Sequence, residues 1–180
     1  MLTAYLNKMR GFKKSPPCVP LHEVFFSWLG ALIGIGAVSY INYKLLDGTD
    51  LVMIVGSFGA SAVLIYGVTQ SPLAQPRNLV GGHFIAALVG VTMQMTMGDI
   101  RWLAGAMAVS LAIVAMQVTR TVHPPAGATA FIAVIGSQKI HNLGYLYAVI
   151  PVATGALIML LVALVVNNLS SARRYPEYWL

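Results

Sequence analysis

Six apolar blocks, at about 24–43, 51–69, 79–98, 102–119, 124–137 and 145–167, follow one another along 180 residues with connections only a few residues long. Blocks close to the roughly 20 apolar residues that cross a bilayer as a helix leave little choice but a helical membrane bundle. Composition agrees, since a chain that is 58% hydrophobic and 9% charged lacks the charge to cover a water-facing surface. Turn residues and charges sit in the connections, as in Asp47, Gly48, Thr49, Asp50 and in Ser71 to Pro76, and leave no room for a soluble domain. The expected division is a basic N-terminal segment at 1–22, one transmembrane domain at 23–168 and a tail at 169–180.

Lys8, Arg10, Lys13 and Lys14 run into Pro16, Pro17 and Pro20 with no apolar stretch before them, so the first apolar block is expected to stay in the membrane. Cys18 is the single cysteine and forms no internal disulfide, and no Cys/His metal spacing is present. A formal charge of +6 is spread singly between apolar blocks except near the ends, which fits topology better than a nucleic-acid surface. With six spans and the N-terminus inside, Lys8, Arg10, Lys13, Lys14, Arg77, Arg120, Arg173 and Arg174 lie inside. Lys44, Arg101 and Lys139 lie outside. Both termini are therefore expected on the cytoplasmic side, and a bacterial inner membrane is the expected location. A re-entrant fifth block would give five spans and move Arg173 and Arg174 outward.

Gly59, Ala60, Ser61, Ala62 is echoed by Gly127, Ala128, Thr129, Ala130, and Trp28 to Ala31 more weakly by Trp102 to Ala106. Three spans per copy would insert the copies with opposite orientation, giving an all-α protein of about six helices in a 3+3 inverted repeat, the second and fifth broken or short. Gly56 and Gly59 each cost a continuous helix about 1 kcal/mol relative to alanine, which marks either a helix contact or a helix break. Ser57 and Ser61, one turn apart, would face one cavity. Gly30 and Gly34 read as a close-packing face, and a homodimer is expected to use it.

Pro124 and Pro125 are suited to the first turn of a helix. The amides of Ala126, Gly127, Ala128 and Thr129 would then form an anion cradle at a positive helix end, with Arg120 and His123 beside it. An ordinary turn with a topology-fixing arginine is the competing reading. A second inner loop holds Gln75, Pro76, Arg77 and Asn78, then Gly81, Gly82 and His83. His83 lies inside an apolar helix, where an ionisable group is either functional or a neutral ring bonded to a backbone carbonyl. Glu23, Asp47, Asp50, Asp99 and Glu177 all fall outside or at the ends of the blocks, so the interior favours an anion or a neutral solute.

The tracts 56–84 (GSFGASAVLIYGVTQSPLAQPRNLVGGHF) and 119–136 (TRTVHPPAGATAFIAVIG) resemble the HPP family of integral membrane proteins, named for His123, Pro124 and Pro125. That family is described with four spans, from which the six-block reading departs. Its plant and cyanobacterial members are implicated in nitrite movement across the plastid envelope or the cell membrane, and the resemblance implies a similar role. The expected substrate-binding residues are Ser57, Gly59, Ser61, Arg77, Asn78, His83, Arg120, His123, Pro124, Pro125, Gly127 and Thr129. Carrier and channel are both open. No enzymatic activity, cofactor or metal is expected; the competing classes are a cofactor protein ligated by His83, His123 and His141, and a structural subunit.

Overall fold

A computed structural model describes residues 2–9, 15, 17–47, 53 and 55–180. Arg10, Lys13, Lys14 and Pro16 of the basic segment and Gly48, Thr49 and Asp50 of the first turn lie outside the described residues. The described residues are built on helices: α1 (Leu2–Asn7), α2 (Leu21–Tyr40), α3 (Ser57–Ala62), α4 (Gly82–Met97), α5 (Arg101–Val118), α6 (Pro124–Ile135), α7 (Gln138–Leu143) and α8 (Thr154–Asn167). Wider π-type turns extend α2 to Leu45 and α3 to Gly67, and begin α4 at Arg77 and α8 at Ala148. Ile150 leaves helical geometry (φ −124°, ψ 115°) because the ring of Pro151 disfavours the helical region in the residue before it.

With these extensions, four helices among the described residues are long and apolar enough to cross a membrane: Leu21–Leu45, Arg77–Met97, Arg101–Val118 and Ala148–Asn167. Two apolar helices are not, Ser57–Gly67 and Pro124–Ile135. At 1.5 Å per residue they reach roughly 17 and 18 Å, against a hydrocarbon core of about 30 Å. They are the second and fifth blocks of the sequence reading. The fifth begins at its prolines and ends at Gly136, as expected. The second begins only at Ser57, and Met53 and Val55 before it are non-helical and buried.

Small residues let the helices approach. On α5, Ala104, Ala108, Ala112 and Met116 recur every fourth position, bury one stripe and pack with Ala86, Ala126, Ala130 and Val134. Gly90 of α4 crosses α6 where a Cβ would lie 2.8 Å from both the Cα of Ala130 and the Cβ of Ala133. Gly90→Ala is therefore expected to lower stability by about 1–3 kcal/mol. Gly59→Ala, with nothing within 4 Å, should be neutral or slightly stabilising in thermal unfolding of the detergent-solubilised protein. Equal effects would show that α4 and α6 do not touch at Gly90.

Gly30 and Gly34 correct one expectation. They seat the ring of Tyr66 within the same chain, and its hydroxyl donates to the Met159 carbonyl at 3.0 Å. That face is consumed internally and is not free for a second copy.

One end of the bundle gathers the start of α2, residues 68–76, residues 119–123 and the tail. Arg173 ties it together. Its Nε pairs with the Glu23 carboxylate, Nη1 donates to the carbonyl of Tyr66 (2.9 Å) and Nη2 to Ser27 Oγ (2.8 Å). Asn167 donates to the carbonyl of Ile65 at 2.9 Å, so Arg173 and Asn167 together cap the last carbonyls of the short second helix. Beyond Arg173, the Tyr175 hydroxyl donates to the Ala74 carbonyl (2.7 Å) and that of Tyr178 to the Pro72 carbonyl (3.0 Å). Burial raises the Tyr175 hydroxyl above its ordinary pKa, which keeps it a donor.

Candidate functional site

Five polar side chains, each 2% exposed or less, meet where the two short helices face α4: Ser57, Ser61, His83, His123 and Thr129. Each is delivered by a different local device. Ser57 and Ser61 lie one turn apart in α3. His83 stands in the first turns of α4, behind Gly81 and Gly82, where a Cβ on Gly82 would approach the Cβ of His123 to 2.8 Å. His123 is the extended residue (φ −137°, ψ 102°) just before α6, held there because Pro124 follows. Thr129 is on the second turn of α6.

Bonding is continuous. Ser57 Oγ lies 2.7 Å from Thr129 Oγ1, and Thr129 Oγ1 lies 2.7 Å from His83 Nδ1. Ser61 Oγ lies 2.7 Å from His83 Nε2 and 2.9 Å from His123 Nε2. The Nδ1 of His123 reaches the Leu73 carbonyl at 2.8 Å, and the imidazole centroids are 4.9 Å apart. The edge of Phe58 closes the cluster, its ring 5.5 Å from that of His83, and the Tyr147 hydroxyl donates to the Thr129 carbonyl at 3.2 Å. Among the described residues, no buried side-chain nitrogen or oxygen lacks a partner.

Of the twelve expected residues, these five assemble and the others do not join them. Arg77 donates to the Thr119 carbonyl (2.8 Å) and Asn78 to the Val122 carbonyl (2.8 Å), so both pin the 119–123 loop. Arg120 is exposed beyond the end of α5 with a positive φ of 57°. Gly59 is exposed, and Gly127 meets only Val109 at ordinary contact distance. Pro124 is exposed and Pro125 is buried in the first turn of α6.

The amide cradle is a second correction. The first two positions of α6 are prolines without donors, and the third, Ala126, donates to the His123 carbonyl at 2.9 Å. Of the amides that an ordinary helix start leaves free, two are thus missing and a third is already bonded, so this helix start is a poor anion cradle. His141, the third member of the ligand set considered above, instead donates from Nε2 to the Val134 carbonyl at 3.2 Å, away from the imidazole pair. Sequence reasoning missed the Leu73 carbonyl, a backbone group that residue type does not flag, and Tyr147, which lies outside both tracts, and it treated Glu23 and Arg173 as separate end charges.

Long apolar helices enclosing a desolvated polar cluster define a multi-pass membrane protein. Residues 16–176 match the family described as HPP, transmembrane region, and the chain belongs to that family. Two transmembrane proteins of Dictyostelium discoideum are similar to it. One is 44% identical over 178 residues, covering 97% of this chain and 57% of its own. The other is 46% identical over 173 residues, covering 94% of this chain and 60% of its own. The chain thus spans less than two thirds of the length of either relative. No solved structure matches it.

Proposed function

We propose that the chain moves a small inorganic anion of the nitrite type across the membrane, with the Ser57, Ser61, His83, His123 and Thr129 cluster as its binding point. One observation carries this reading: five hydrogen-bonding side chains are buried at the junction of two half-length helices, and among the described residues no acidic side chain bonds to any of them. Polar groups at such depth are expensive and mark solute pathways by default. Hydroxyls and imidazole N–H groups are donors suited to a small planar anion. Arg77 and Arg120, near the end of the bundle where α4 starts and α5 finishes, supply positive potential for capture rather than a contact in the site. Carrier and channel share this arrangement.

The inverted repeat enters as part of the proposal. Ser61 and Thr129 occupy equivalent places in the two echoes, and they engage opposite nitrogens of His83, Nε2 and Nδ1. α2 starts and α8 finishes at the Arg173 end, while the α4–α5 turn lies at the other. On this reading the chain between α2 and α4, and again between α5 and α8, crosses back through a short helix. Six traverses with both ends on the Arg173 side suit cytoplasmic termini in a bacterial inner membrane. A homodimer would need a face other than Gly30 and Gly34.

Binding is tested by thermal unfolding of the solubilised protein with nitrite, nitrate, chloride and formate, since a ligand at 100 times its Kd stabilises by about 2.7 kcal/mol. Nitrite is expected to shift the wild type and not Ser61→Ala. Uptake into proteoliposomes should fall about tenfold in Ser61→Ala, while Arg120→Gln lowers the rate and leaves the nitrite shift intact. Complete internal satisfaction of the cluster favours a second reading, a brace holding two short helices together. In that case Ser61→Ala loses stability and nitrite shifts neither protein, which would overturn the transport reading.

A further inference from the structure

The hydrogen positions of the cluster follow from one group that can only accept. The Leu73 carbonyl has no proton, so His123 Nδ1 carries one and donates it. With the ring neutral, His123 Nε2 is bare and takes its hydrogen from Ser61. Ser61 has one hydrogen, so at 2.7 Å the Nε2 of His83 must be the donor to Ser61 Oγ. His83 Nδ1 is then bare and accepts from Thr129, whose oxygen accepts in turn from Ser57. All donors point one way, from Ser57 through Thr129, His83, Ser61 and His123 to Leu73.

The same atoms have room for one more proton. If His123 Nε2 gains it, that nitrogen donates to Ser61 Oγ, which then accepts from both imidazoles with its two lone pairs. The Ser61 hydrogen turns instead to the Ser57 carbonyl, already 3.3 Å away. Only a hydroxyl rotates. A second proton has no such place, because it would leave two imidazolium rings with centroids 4.9 Å apart.

Charge balance makes that vacancy functional. An anion brought into a desolvated site needs a compensating charge. Around the pair, α3 brings only Ser57, Ser61 and Phe58, and the 71–76 turn and α6 bring no ionisable group. Tyr147 faces Thr129 as a neutral donor. Arg77, at the start of α4, is bonded to Thr119, and Arg120 of the α5–α6 loop is exposed. The two imidazoles alone can become positive within the cluster.

We propose that the His83–Ser61–His123 unit takes up one proton for each anion carried, so that transport is an electroneutral anion–proton symport. This rests on the anion-transport reading above. Vesicles containing the protein and an internal pH dye are given nitrite at mildly alkaline pH, where nitrous acid is scarce, with protein-free vesicles as blank. One proton should enter per nitrite, and a potassium diffusion potential should leave the rate unchanged. Nitrite entry driven by the potential without acidification overturns the coupling and leaves anion transport standing. No entry above the blank removes both. Independently of transport, side-chain ¹⁵N resonances of histidine, assigned by replacing each of His22, His83, His123 and His141 with glutamine in turn, should show the Nδ1–H tautomer at His123 and Nε2–H at His83 in the wild type. The reverse pair would overturn the hydrogen assignment on which the vacancy depends.

Discussion

His83→Ala is expected to lose about 3–5 kcal/mol of stability and to abolish uptake in whatever protein still folds. Each nitrogen of His83 is held by a hydroxyl, Thr129 on one side and Ser61 on the other, all at or near zero exposure. Truncation takes one partner from each hydroxyl, leaving Ser61 on His123 and Thr129 on Ser57, at about 1–3 kcal/mol together, and the missing ring leaves a cavity beside Phe58 that supplies the rest. For a chain of this length that corresponds to a fall in melting temperature of roughly 10 °C or more. His83→Gln should recover only part of the loss, because an amide places its donor and acceptor on one carbon and cannot span two hydroxyls on opposite ring edges. A shift below about 1 kcal/mol for His83→Ala would mean that water fills the cluster and that it is not the closed network described.

Arg173→Ala should have a comparable effect on stability for a different reason. The Arg173 side chain is 5% exposed and that of Glu23 15%, so this pair belongs with buried ion pairs, where removing one partner costs about 3–5 kcal/mol. Solvent-exposed pairs are worth only about 0–1 kcal/mol. Removing the guanidinium strands the Glu23 carboxylate and uncaps the Tyr66 carbonyl at the end of the second helix. Adding Glu23→Gln to Arg173→Ala should restore about half the loss, since a neutral amide leaves no uncompensated charge while the carbonyl stays uncapped. Chemical denaturation of Arg173→Ala, Glu23→Gln and the double variant separates the contributions. If the double variant is no better than the single, the loss comes from the cap and packing alone.

Local chemistry made much of this legible. Apolar block lengths identified the helices, the proline pair located the start of α6, and Ser57, Ser61, His83, His123 and Thr129 stood out as polar residues in apolar surroundings. The remaining candidates were chosen by nearness in sequence, which is a poor guide here. Arg77, Asn78 and Arg120 flank the site residues along the chain, yet they fasten or project from a loop at the end of the bundle. Gly59 and Gly127 sit two residues from Ser61 and Thr129, and two helical positions turn a side chain roughly to the opposite face. The helix-end cradle failed because proline, which favours a helix start, also removes the donors that would have made it.

By itself, the sequence determined that this is a helical membrane protein with two interrupted segments, because apolar length and proline chemistry act within a few residues of where they are written. The tertiary structure alone decided which polar groups meet. Ser61 and His123 are 62 positions apart, Ser57 and Thr129 are 72, and Glu23 and Arg173 are 150. Such partners are selected by helix packing, in which glycines such as Gly82 and Gly90 let backbones approach and, among the described residues, every buried side-chain nitrogen and oxygen finds a partner.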